Sequence, residues 1–180
     1  KQNNKKSGDD PITEDEVLEC QKNWINAIES ISKTYLDGGD FVAEAGEAIG
    51  ELYGYGHHSV LFKPTKASKR LFRPTAFDAL SYFVGAEALE NDEFNNEDTG
   101  FAINSGSGWS KVVFKNHAID TNGNTAIAMG LYYFTDTKDG RVTSAEYTLG
   151  YKRCTDGKPR IFVHHSSFTP EKVPLKEEVL

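Results

Sequence analysis

Lys111 to Cys154 reads KVVFKNHAIDTNGNTAIAMGLYYFTDTKDGRVTSAEYTLGYKRC, three long β-favouring runs broken at Asn122-Gly123 and Asp139-Gly140. Asn-Gly and Asp-Gly pairs reach the positive φ values that two-residue hairpin turns demand, so Lys111–Asp120, Thr125–Asp136 and Val142–Cys154 are expected to pair as antiparallel neighbours. A further turn, Asp156-Gly157, feeds a last run, Arg160 to Phe168. Upstream the period changes. Thr13 and Glu16 have capping-box spacing, and Val17, Gln21, Trp24, Ile28, Ile31 and Tyr35 recur at helical intervals up to Gly38-Gly39. Asp40 is placed to cap a second helix through Phe41, Ala45, Ala48, Ile49 and Leu52, and Thr75 a third, AFDALSYFVG. Between these two lies a short strand-like run, His57 to Phe62, closed by Pro64. Glu87 to Gly108 is acidic and rich in Gly and Asn, and reads as a mobile loop with one short strand at most.

Helices followed by an antiparallel meander make an α+β fold, a curved sheet wrapping its inner face against the helices. The 180 residues, 38% apolar and 26% charged, suit one soluble globular domain. Its span is 13–170. Lys1 to Pro11 carries no large apolar side chain, so residues 1–12 read as a disordered lead-in, and 171–180 as a tail or linker. The chain opens on Lys1 and its single methionine is Met129, which reads as a processed or excised segment of something longer.

Charge excludes some functions. Twenty basic against 27 acidic residues give a net charge of −7 with no basic stripe, which argues against nucleic acid as a partner. The longest uncharged stretches fall short of the ~20 apolar residues of a membrane span. Cys20 and Cys154 could form one bridge but neither a disulfide scaffold nor a thiolate cage. The histidines stand as adjacent pairs, His57-His58 and His164-His165, with His117 apart; no His-x-His or His-x-x-x-His pattern favours a metal.

The densest polar cluster within an apolar strand is Val163-His164-His165-Ser166-Ser167-Phe168. Alternation puts His165 with Ser167 on one face and His164 with Ser166 on the other. Ile161 and Val163 share parity with His165, which makes His165 and Ser167 the expected inward pair; a bulge would reverse the choice. A second cluster joins Lys63-Pro64-Thr65 to Ser81-Tyr82-Phe83, where a buried Thr and Tyr would both need hydrogen-bond partners. Tyr132, Tyr133, Tyr147 and Tyr151 read as cross-strand aromatic packing.

FKPTKASKRLFRPTAFDALSYFVG (Phe62 to Gly85) and DGKPRIFVHHSSFTP (Asp156 to Pro170) together resemble the iota class of carbonic anhydrases. That class is similar to the association domain of calcium/calmodulin-dependent kinase II and has the cone fold of ketosteroid isomerase and nuclear transport factor 2. The resemblance implies reversible hydration of CO2 to bicarbonate between the concave sheet and the helices. It implies a site of Thr65, Tyr82 and one His and one Ser of the run His164, His165, Ser166 and Ser167, without a cofactor, although other members have been described with a divalent metal such as zinc or manganese. Hydroxyls would position water and CO2 and the histidine would accept the proton. Phe62, Phe83, Val163, Ile127 and Leu149 are candidate apolar walls. A homodimer is expected, because an open curved sheet needs cover. The family's compartments are the algal plastid, favoured here, and the bacterial periplasm or cytosol. The alternatives are a non-catalytic assembly or ligand-binding module of the same fold, and an isomerase using Asp40, Glu47, Asp78 or Glu146 as base.

Overall fold

The computed structural model describes residues 6–90, 93, 97–171 and 173–175. Helix α1 spans Glu14–Leu36, and a capping box starts it: the Glu16 amide donates to Thr13 Oγ1 while the Thr13 amide donates to the Glu16 carboxylate. Val17, Gln21, Trp24, Ile28 and Ile31 form its buried stripe. Helix α2, Phe41–Leu52, starts where Asp40 accepts from the Ala43 amide, and α3, Ala76–Val84, starts at a Thr75–Asp78 capping box. All three starts are those the sequence predicts.

Strand β1, Leu61–Lys63, precedes α3; β2 (Trp109–Asn122), β3 (Thr125–Asp136), β4 (Val142–Arg153) and β5 (Pro159–Phe168) follow it. They form one curled sheet in the order β1-β5-β4-β3-β2, antiparallel except for β1, which runs parallel to β5. The hairpin glycines Gly123 and Gly140 both have positive φ. Ala126, Ala128, Tyr132 and Phe134 of β3 and Ala145, Tyr147, Leu149 and Tyr151 of β4 bury against Trp24, Ile28, Ile31 and Phe83. This is the expected α+β cone. Among the described residues no helix is long and apolar enough to cross a membrane.

Two expectations need correction. In 87–108 the described residues form two single-turn 3₁₀ helices, Glu87–Leu89 and Asn104–Gly106, and no strand. The later half is anchored, because Phe101, Ala102 and Ile103 are buried and the Trp109 indole donates to the Phe101 carbonyl at 2.7 Å. The lead-in from Lys6 onward is also held: the Ile12 amide donates to the Gly123 carbonyl, and the buried Arg153 guanidinium donates to the Asp10 and Pro11 carbonyls. A buried cation must find acceptors, and this one recruits the backbone ahead of α1 as well as the Glu16 carboxylate. Residues 1–5 lie outside the described ones. Cys20 and Cys154 are both free thiols.

One irregularity sets the site. Gly150 of β4 faces Val163 of β5 while Tyr151 faces Ile161, so Phe162 is an extra residue, a β-bulge. A Cβ on Gly150 would lie 2.9 Å from the Phe162 ring and 3.0 Å from Val163 Cβ, so glycine there leaves room for the bulged strand.

Candidate active site

The bulge exchanges the two faces of the last strand. Ile161 points inward on one side of it and His164 and Ser166 point inward on the other, 3% and 1% exposed. His165 and Ser167, the expected inward pair, are on the outer face. His165 is exposed and Ser167 Oγ donates to Glu146 Oε1 at 2.6 Å, in an outer hollow shared with His117 and Met129.

Parallel pairing of β1 with β5 sets Phe62 beside His164, and their rings stack at 4.7 Å. Two residues beyond β1, Thr65 therefore reaches Ser166, with 2.6 Å between the hydroxyl oxygens. Tyr132 on β3 joins them: its hydroxyl donates to Ser166 Oγ and lies 3.2 Å from Thr65 Oγ1 and 3.5 Å from His164 Nε2. Tyr82 of α3 is buried between Phe62 and Phe101; its hydroxyl accepts from the Lys66 amide at 3.3 Å and pairs with Thr65. Behind His164, Tyr53 at the end of α2 meets Nδ1 at 2.8 Å and accepts from the Trp24 indole at 3.1 Å. Thr65, Tyr82 and one His/Ser pair thus converge. The pair is His164 and Ser166.

Tyr132 is not mere packing, Trp24 is legible in the sequence only as part of a helical stripe, and Tyr53 carries no signal there at all. A signal for Tyr132 existed: it shares inward parity with Ala126, Ala128 and Gly130, so small side chains leave space beside it. Of the candidate walls, Phe62, Phe83 and Leu149 are buried and Val163 is half-buried, whereas Ile127 is 48% exposed on the outer face.

Charge is kept out of the cluster. Burial, helped by the neighbouring His165, pushes the His164 imidazole down to about 3, so it is neutral at physiological pH. Burial also pushes Tyr132 up to about 12 despite its bonds to Ser166 and Thr65, and pushes Tyr53 and Tyr82 up strongly. The buried Asp98 is engaged by Arg73 at 2.7 Å and by Ser81 at 2.8 Å. The carboxylates of an isomerase reading are placed elsewhere: Asp40 and Asp78 cap helices, Glu47 is exposed and Glu146 binds Ser167. Among the described residues, no group of three or more His, Cys, Asp or Glu is arranged to hold a metal. His58 packs by Cys154, and His57 and His117 are exposed.

Comparison with known proteins bears on this geometry. Residues 15–168 match the family model of the metal-independent carbonic anhydrases. A metal-independent carbonic anhydrase of Nostoc sp. (strain PCC 7120 / SAG 25.82 / UTEX 2576) is 45% identical over 164 residues, 89% of this chain and 76% of the relative. The crystal structure of a cyanobacterial iota-carbonic anhydrase complexed with bicarbonate superposes with a TM-score of 0.80 at 44% identity, covering 90% of this chain and 95% of that one. An NTF2-like protein from Cytophaga hutchinsonii ATCC 33406, 14% identical with a TM-score of 0.54 over 88% of this chain and all of the other, shares the fold.

Proposed function

The chain belongs to the metal-independent carbonic anhydrases, the iota class, and on that footing we propose that CO2 is hydrated at the cluster of Thr65, Tyr82, Tyr132, His164 and Ser166. The observation that carries this assignment is the convergence of three hydroxyls from three separate elements on a neutral, buried imidazole. A relative 44% identical in sequence was crystallised with bicarbonate, which supports a small oxyanion as ligand.

Zinc anhydrases lower the pKa of bound water from about 15.7 to about 7; hydroxyls do not. They hold water and CO2 in reacting geometry, and a hydroxyl can accept one proton as it releases its own. As the water oxygen bonds to carbon, its proton passes through the Thr65 or Ser166 hydroxyl to a CO2 oxygen. The product is carbonic acid, which ionises to bicarbonate and a proton on release. No charged base is needed, and the histidine expected from the sequence to accept the proton enters instead as a neutral group, because burial holds the His164 imidazole down to about 3 and makes it a weak base. Phe62 and Leu149 beside it supply the apolar wall that an uncharged substrate requires.

Stopped-flow hydration by chelator-dialysed protein tests this. Activity should persist, with kcat/KM level from about pH 6 to about pH 8, because the pocket imidazole and the Tyr132 phenol both titrate outside that range. Activity lost on dialysis and restored only by zinc or manganese, or a rate that climbs through pH 7, would overturn it.

The same reading includes a homodimer built on the outer sheet face, where Ile127 and Met129 stand 48% and 51% exposed. Sedimentation should give twice the 20.0 kDa chain mass, falling to the monomer in Ile127→Lys; a monomeric native protein would refute it.

A further inference from the structure

Hydrogen placement behind the cluster follows from what each group can donate. An indole N–H only donates, and Trp24 gives its hydrogen to the Tyr53 oxygen at 3.1 Å. The other partner of that oxygen is His164 Nδ1, 2.8 Å away. Were Nδ1 protonated, Tyr53 would receive two hydrogens and its own would meet no acceptor among the described residues, a costly state for a hydroxyl buried at 1% exposure. The Tyr53 hydrogen therefore points at Nδ1, which must offer a lone pair. A neutral imidazole has one hydrogen, and it is left on Nε2, facing Tyr132.

From this arrangement we infer that Tyr53, itself held by Trp24, is a positioning residue that locks His164 as the Nε2–H tautomer, so that every hydrogen bond from Trp24 to Thr65 runs in one direction. His164 Nε2–H faces the Tyr132 oxygen and Tyr132 donates to Ser166, whose own hydrogen is then directed at Thr65, the hydroxyl 2.6 Å away. Tyr82, whose oxygen accepts from the Lys66 amide, pairs with Thr65 as well, so the chain ends at these two hydroxyls, and the one hydrogen that their pairing leaves over meets an oxygen of CO2 or bicarbonate. Donors fixed before reaction and aimed at the oxygen that gains negative charge stabilise the transition state without reorganising. Aligned bonds also polarise one another. The ring planes are held by packing: Phe62 stacks on His164, and Trp24 lies parallel to Tyr132 at 5.8 Å. His164 thereby acts as a donor in the resting site. The inference rests on the functional reading above for its catalytic consequence, but not for the tautomer.

Long-range ¹H–¹⁵N NMR reads the tautomer directly in the native protein, with the His164 signals assigned by their loss in His164→Gln. The native spectrum should show Nε2 protonated and Nδ1 bare. Tyr53→Phe should mix the tautomers and lower kcat by about 10-fold to 100-fold, as for outer-shell partners of other site histidines, while KM for CO2 moves less. Trp24→Phe, which keeps the Tyr53 hydroxyl but removes its donor, should loosen the tautomer in the same direction. Native His164 protonated on Nδ1 would overturn the inference whether or not the variants fold, as would a folded Tyr53→Phe with unchanged tautomer and kcat. Full activity in Thr65→Ala beside an Nε2–H spectrum would instead sink the placement of catalysis and leave the lock standing.

Discussion

Ser166→Ala is expected to lower kcat/KM for CO2 hydration by about 100-fold, the scale of losing one preorganised hydrogen-bond group from an active site, whereas Ser167→Ala should stay within about twofold of native. Ser166 Oγ is the junction of the cluster, receiving the Tyr132 hydrogen and meeting Thr65 at 2.6 Å. Its removal leaves Tyr132 without its closest acceptor and Thr65 without its closest hydroxyl, with only the longer 3.2 Å contact between those two remaining. Stability should fall too, by about 1–3 kcal/mol for a buried polar group left unmet. Among the described residues the Ser167 hydroxyl bonds only Glu146, on the outer face. The two adjacent serines therefore test the bulge at Phe162 as much as the chemistry. Stopped-flow assays of both variants decide it, and a larger loss in Ser167→Ala than in Ser166→Ala would mean that the strand presents its other face.

Acid should destabilise the protein earlier than its carboxylates alone would dictate. The His164 pKa is about 3 in the fold against its ordinary 6.5, so between these values the unfolded chain binds a proton that the native chain does not. Native stability is thus full above pH 6.5 and declines as pH falls toward 3, with a slope of up to about 1.4 kcal/mol per pH unit. His58, whose imidazole is also lowered by burial, adds a smaller decline in the same direction. Carboxylates act in a lower window. Burial alone would raise the Glu16 pKa, but bonds from Arg153, Lys6 and the Thr13 amide hold it down to about 2, and Arg160 holds Asp156 at about 2. Their contribution is present above the ordinary carboxylate range and lost as pH falls through it toward 2. Urea unfolding midpoints measured from pH 8 to pH 4 in native protein and His164→Gln separate the windows. The variant should lose most of the decline between pH 6.5 and pH 4.5, and an unchanged slope would show that His164 is not held neutral by burial.

Much of the site's supply line was readable in one dimension. Thr13, Asp40 and Thr75 start their helices because each can satisfy a free backbone N–H within three residues, and Gly123 and Gly140 turn their hairpins because of φ values few other residues adopt. Thr65 and Tyr82 were recognisable from the motifs that contain them. The partners contributed by other strands were not. Tyr132 looks like any inward aromatic until β3 is curled over β5, and Tyr53 enters only because α2 ends beneath His164. Arg153 ordering the segment before α1 is likewise a contact across more than 130 residues.

Local sequence by itself determined the helices, the hairpins, the α+β class and the run of four polar residues from which the proposed site draws its histidine and serine, since caps, turns and periodicity act over a few neighbouring residues. Tertiary structure alone decided which two of those four turn inward to meet Thr65 and Tyr132. Side chains on a strand alternate with a period of two, so one extra residue at Phe162, accommodated by the missing side chain of Gly150 on the next strand, exchanges inside for outside.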